Sequence, residues 1–154
     1  SSRVITQFLG HIVRGEPIRL VDGGSQKRAF TYIDDGVSVL MKVIENPDGV
    51  ASGKIYNVGN PANHYSVREV ATMMLAMAKR YPEYRDSAAH VTLVDTSADE
   101  YYGKGYQDMQ NRVPVIENTM RDLDWAPTVG MDDALARIFE AYRGEVAAAR
   151  ALVD

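Results

Sequence analysis

The chain has 154 residues, 45% hydrophobic and 25% charged, which suits one globular domain with a buried core. A net charge of -4 gives no electrostatic pull toward nucleic acid or an anionic membrane, and no apolar run reaches the roughly 18 residues of a membrane span. Without cysteine there is no disulfide and no thiolate metal site, which fits a reducing cytoplasm, and the three histidines (His11, His64, His90) lack metal-ligand spacing.

The opening run SSRVITQFLGHIVRG reads as a helix, with Ser2 as N-cap and Gly15 at its C-terminal end. Val4, Ile5, Phe8, Leu9, Ile12 and Val13 make its apolar stripe. With no initiator methionine or lead-in, the sequence reads as a piece of a longer protein. PIRLV (17–21) is extended and ends in the turn DGG; RAFTYI (28–33) alternates and is rich in β-formers, so it predicts a strand or extended arm. DDGVSVLMKVIENP predicts a helix capped by Asp34 or Asp35 and stopped before Pro47. GKIYNVGNP predicts a short strand. SVREVATMMLAMAKRYP is a helix opened by a Ser66–Glu69 capping box. Met73, Met74 and Met77, with Tyr81 and Tyr84, read as core packing. HVTLVD predicts another strand, and VIENTMRDLDW a helical turn or two. MDDALARIFEAYRGE predicts the last helix, with Asp132 and Asp133 in its first turn, and the tail VAAARALVD extends it or frays.

Four short strands among five helices predict a mixed α/β fold with a thin sheet, whose other half is expected elsewhere in a longer protein. No G-x-G-x-x-G follows a strand, so no dinucleotide fingerprint is present. Two stretches carry chemistry. Arg19, Lys27 and Arg28 flank a glycine turn, where backbone N–H groups can approach an anion and arginine can pair bidentately with phosphate. The bland alternative is an exposed hairpin with solvated charges. In YYGKGYQDMQNRVP, Gly103 and Gly105 flank Lys104, Tyr102 and Tyr106 can stack on a base or sugar, and Arg112 can pair with an anion. Its bland alternative is a flexible surface loop with packed tyrosines.

GGSQKRAFTYIDDGV before a helix, YNVGNP before SVRE, and LDWAP before the last helix resemble the C-terminal half of the extended short-chain dehydrogenase/reductases. These are nucleotide-sugar epimerases, dehydratases and decarboxylases. TSADEYYGKGYQDMQNRVP narrows the resemblance to UDP-glucuronate decarboxylases of lipid A modification, associated with polymyxin resistance. That resemblance implies one substrate-binding domain over residues 1–154, lacking the Rossmann half that holds NAD. It implies UDP-glucuronic acid as substrate, a cytoplasmic location and a homo-oligomer in the complete enzyme, with no nucleic acid, membrane or metal partner. The segment Arg19, Leu20, Val21, Asp22, Gly23, Gly24, Ser25, Gln26, Lys27 and Arg28 resembles the part that wraps the UDP group. Tyr106 resembles a second substrate contact, and Arg112 the residue assigned as proton donor. The glycine-rich NAD loop, the active-site Ser/Thr and Glu, and the Tyr-x-x-x-Lys pair are expected upstream. The substrate domain of another epimerase or dehydratase of the same superfamily, a nucleotide-sugar binding module without chemistry, and a plain interaction domain remain as other readings.

Overall fold

A computed structural model describes residues 3–146. In chain order these form α1 (Val4–Arg14), β1 (Ile18–Val21), β2 (Lys27–Ala29), α2 (Ile33–Glu45), β3 (His64–Ser66), α3 (Val67–Ala78), α4 (Pro82–Ala88), β4 (Leu93–Thr96), α5 (Ala98–Tyr102), α6 (Glu117–Leu123) and α7 (Met131–Arg143). The fold is mixed α/β, as the sequence predicts. The expected single thin sheet is instead two two-stranded sheets, β1 with β4 and β2 with β3, and the described residues hold seven α-helices rather than five. The chain divides into two compact units.

The first unit takes the chain up to Gln26, Ser66–Gln110, and the chain from Leu135. Here β1 pairs in parallel with β4, Ile18 opposite Leu93 and Val21 opposite Thr96. α1 buries Phe8, Leu9, Ile12 and Val13, four of its six predicted stripe residues, and leaves Val4 and Ile5 half-buried. Gly15 ends the helix at φ 68°, where its missing Cβ costs nothing, and its N–H bonds back to the helix carbonyls. Ser2 lies outside the described residues; the residue preceding α1 is Arg3, extended and without a side-chain cap bond. The predicted capping box is present on α3: Ser66 Oγ accepts from Glu69 N at 3.0 Å and Ser66 N donates to Glu69 at 2.6 Å. Met74 and Met77 are buried, and Tyr84, wholly buried, donates from its hydroxyl to the Phe139 carbonyl at 2.6 Å. Most of the predicted tail lies outside the described residues.

The second unit takes Lys27–Tyr65 and Asn111–Ala134. Its core is Val39, Ile116, Leu123 and Trp125, with Val50, Ala51 and Tyr56 packed against them. Three sequence expectations change here. The strand or extended arm expected over 28–33 is a strand only at Lys27–Ala29, and α2 already begins at Ile33. Neither Asp34 nor Asp35 caps α2; the preceding residue is Tyr32, and both aspartates sit in the first turn. Asp35 is buried and its carboxylate accepts three bonds at 3.0 Å, from Thr128 N, Thr128 Oγ1 and Val129 N. GKIYNVGNP forms no strand: no described strand runs beside it, and Asn57 bonds to the α6 region through side chains instead. The strand that does form is the unpredicted β3, a few residues later. α2 buries Val39 but leaves Ile33, Val37, Leu40, Met41 and Ile44 exposed.

Candidate functional site

Arg28 and Arg112, both singled out by sequence, line one cleft of about 560 Å³ in the second unit. That volume falls in the range of small-molecule sites, about 300–1,000 Å³. β2 carries Arg28, whose Nη1 donates to the Lys27 carbonyl at 2.8 Å. Arg112 comes from the segment leading to α6 and is exposed, with no hydrogen-bond or ion-pair partner among the described residues. Thr31 and Asn57 add polar groups to the walls, and no Asp or Glu is among the lining residues. Two arginines and no carboxylate give the lining a positive character, and a planar guanidinium fork can hold phosphate or carboxylate oxygens.

The segment bearing Arg112 is tied down on both sides. His64 Nε2 and Asn111 Oδ1 are 2.8 Å apart, before Arg112. Asn57 Nδ2 donates to the Val115 carbonyl at 3.2 Å, after it, while the Asn57 carbonyl accepts from Thr119 Oγ1 at 2.6 Å. Sequence reasoning missed Asn57, Gly59 and Pro114 as cleft residues. YNVGNP was the available signal, because its asparagine and glycine stand where a strand was expected and no strand forms.

The predicted substrate segment from Arg19 to Gln26, with Tyr106, belongs to the first unit, and Lys27 to the second. Arg19 lines a separate groove of about 440 Å³ beside His11 and Tyr101. Leu20 and Val21 are buried in β1. Asp22 Oδ1 accepts from Ala98 N at 3.0 Å, so this aspartate satisfies a free N–H at the start of α5. Arg68, also missed from sequence, donates from Nε to the Gly23 carbonyl at 2.7 Å and pairs through Nη2 with Asp95. Gly24 has φ 68°, and a Cβ there would lie 2.9 Å from Arg68 N, so glycine is required twice over. Ser25 Oγ donates to the Asp22 carbonyl at 3.4 Å. Gln26 faces Tyr106 across a smaller cleft of about 280 Å³ and its Oε1 is buried without a hydrogen-bond partner. Lys27 is exposed on β2.

The tyrosine run is partly helical: α5 takes in Tyr101 and Tyr102, and Ser97 and Glu100 form a second capping box. Tyr102 and Tyr106 stack on each other with centroids 4.1 Å apart, so one face of each ring is already occupied. Partial desolvation, then the neighbouring Tyr106 and Tyr101 hydroxyls and Asp108, push the Tyr102 phenol up from its ordinary value. A raised phenol is a poorer base near neutral pH.

The described residues do not fit the pyrophosphate of a dinucleotide. Three helices follow strands: α3 and α5, whose N-termini are filled by their own capping glutamates, Glu69 and Glu100, and α2, whose first turn holds Asp34 and Asp35. A carboxylate there repels the anion that such a turn would have to hold. Among the described residues, no group of three or more His, Asp or Glu could hold a metal ion, and no helix is long and apolar enough to cross a membrane.

A model of the NAD dependent epimerase/dehydratase family matches residues 1–59. The PbgP3 protein from Burkholderia pseudomallei is 65% identical to this chain and superimposes with a TM-score of 0.88 over 100% of it. The UDP-glucose 4-epimerase of Thermotoga maritima, solved with UDP-glucose, is 20% identical with a TM-score of 0.63. It covers 89% of this chain. The UDP-glucuronic acid 4-epimerase of Bacillus cereus, solved with NAD, is 21% identical with a TM-score of 0.59 over 94% of this chain. This chain spans 42%, 38% and 40% of the length of those three proteins. Its fold is that of the matching part of the extended short-chain dehydrogenase/reductases, the fold of nucleotide-sugar epimerases and dehydratases.

Proposed function

We propose that this chain is the substrate-contacting portion of an NAD-dependent UDP-glucuronate oxidative decarboxylase. The observation that carries the reading is the pairing of Arg28 and Arg112 in one cleft without a carboxylate. Two cations suit a substrate that carries both a diphosphate and a carboxylate. The motif around Tyr106 and Arg112 supports the decarboxylase over other activities of the same fold, with the segment from Arg19 to Arg28 and Tyr106 as further substrate contacts.

In the whole protein, oxidation at C4 of the glucuronic acid falls to NAD held by residues other than those described. The resulting 4-ketone makes the C6 carboxylate a β-keto acid. The C5–C6 bond then breaks, its electron pair moves into the C4 carbonyl, and CO2 leaves an enolate. A proton returns to C5 and gives the 4-keto-pentose. Arg112 serves this step by charge. A guanidinium is a very poor proton donor. A tight bond from it to the carboxylate would hold the ground state and slow CO2 loss. Held near the enolate oxygen, it stabilises negative charge that appears only as the bond breaks.

The test uses the complete protein, NAD and UDP-glucuronate labelled with carbon-13 at C6. The expected result is labelled CO2 and NADH in equal amounts. Label retained in an isomeric UDP-hexuronate would make the protein an epimerase and overturn the reading.

A further inference from the structure

Gly59 is buried, and the Pro114 ring lies directly against it. A Cβ built at position 59 would stand 2.5 Å from Pro114 Cγ and 3.3 Å from Pro114 Cβ. Gly59 does not have a left-handed φ, so the demand for glycine comes from the close approach. The proline ring closes on its own backbone nitrogen. A methyl group at position 59 therefore cannot be accommodated by swinging a flexible side chain; it displaces backbone next to Arg112. The Asn111 and Val115 ties hold the same segment at its two ends. The Gly59–Pro114 contact sets its position in between, and Pro114 and Arg112 line the same cleft.

We propose that Gly59 is a positioning residue for Arg112. Its missing side chain lets Pro114 seat fully, and this fixes how far the Arg112 guanidinium reaches into the cleft. The inference rests on the role given to Arg112 above. Stabilisation of developing charge depends on placement, and a shift of about 1 Å can cost on the order of 10²-fold. A ground-state contact elsewhere in the cleft is less sensitive, so the effect falls on kcat more than on KM.

The experiment compares Gly59→Ala, Pro114→Ala, the double variant and Arg112→Met in the complete protein. Turnover of UDP-glucuronate is measured beside the rate of tryptic cleavage after Arg112. Gly59→Ala is expected to lower kcat by about 10- to 100-fold, with KM changed less than about 3-fold, and to speed cleavage. The double variant removes the atom that the new methyl meets. It is expected to return kcat to within about 3-fold of Pro114→Ala and to slow cleavage again. Normal kcat in Gly59→Ala beside a crippled Arg112→Met overturns the inference, as does a loss that the double variant fails to rescue. If Arg112→Met itself turns over normally, the decarboxylase reading fails and cleavage alone decides. Unchanged cleavage in Gly59→Ala then overturns the positioning contact, and faster cleavage that the double variant reverses supports it.

Discussion

Arg28 belongs to a strand and to a cleft at once: it lies in β2 and lines the cavity. A phosphate–guanidinium pair is present in ground state and transition state alike, so losing it weakens binding more than chemistry. Arg28→Ala in the complete protein is therefore predicted to raise KM for UDP-glucuronate by about 10- to 150-fold, the equivalent of roughly 1.5–3 kcal/mol, with a smaller change in kcat. Steady-state kinetics decide it, and an unchanged KM would remove Arg28 from the site. Both arginines stand out in the sequence because their chemistry is intrinsic to the side chain. Asn57, Gly59 and Pro114 were not, because what they do exists only where segments distant in sequence meet. Asp35 was legible as a polar residue with a purpose, but the purpose was misplaced. The local cap pattern pointed to α2, whereas the folded chain spends its carboxylate on Thr128 and Val129.

At the scale of elements, the devices that complete themselves within a few residues were readable. The Ser66–Glu69 box, the left-handed Gly15 and the acidic first turn of α7 all appear as expected. α4 and α5 were missed although each carries a local sign: Pro82 stands at the first helical position, and Ser97 with Glu100 repeats the capping-box spacing. Neither helix is longer than seven residues, too short for an apolar period to stand out. GKIYNVGNP failed for the opposite reason, since a strand exists only where another strand pairs with it. The link between α6 and α7 is held at Val129 by Asp35 and by the Nδ2 groups of Asn60 and Asn63, which donate to its carbonyl at 3.2 and 2.9 Å. Asp35→Ala leaves the Thr128 and Val129 N–H groups without their charged acceptor. It is predicted to destabilise the chain by roughly 3 kcal/mol, read as a lowered urea midpoint. A midpoint within error of wild type would mean that this buried carboxylate does not hold the link.

At the scale of the whole molecule, the fold class was legible from composition and element order, and the division into two units was not. The segment from Arg19 to Arg28 reads as one continuous motif, yet the units part between Gln26 and Lys27. Arg28 shares a cleft with Arg112, while Arg19 and Gln26 line separate clefts of the first unit. The reaction proposed for the complete protein therefore concentrates on one described cleft and, for the decarboxylation step, on one side chain in it. The most direct test is Arg112→Met in the complete protein with NAD, measuring CO2 release at saturating UDP-glucuronate. Arg112 has no partner among the described residues, so its loss is expected to leave folding and NAD binding intact. The predicted result is a fall in CO2 release of about 10²- to 10³-fold, the range seen when one preorganised charge stabiliser is lost, with little recovery in Arg112→Lys because an ammonium lacks the planar fork. CO2 release within about 3-fold of wild type would contradict the account, leaving the cleft as a binding surface and the described chain without a catalytic residue.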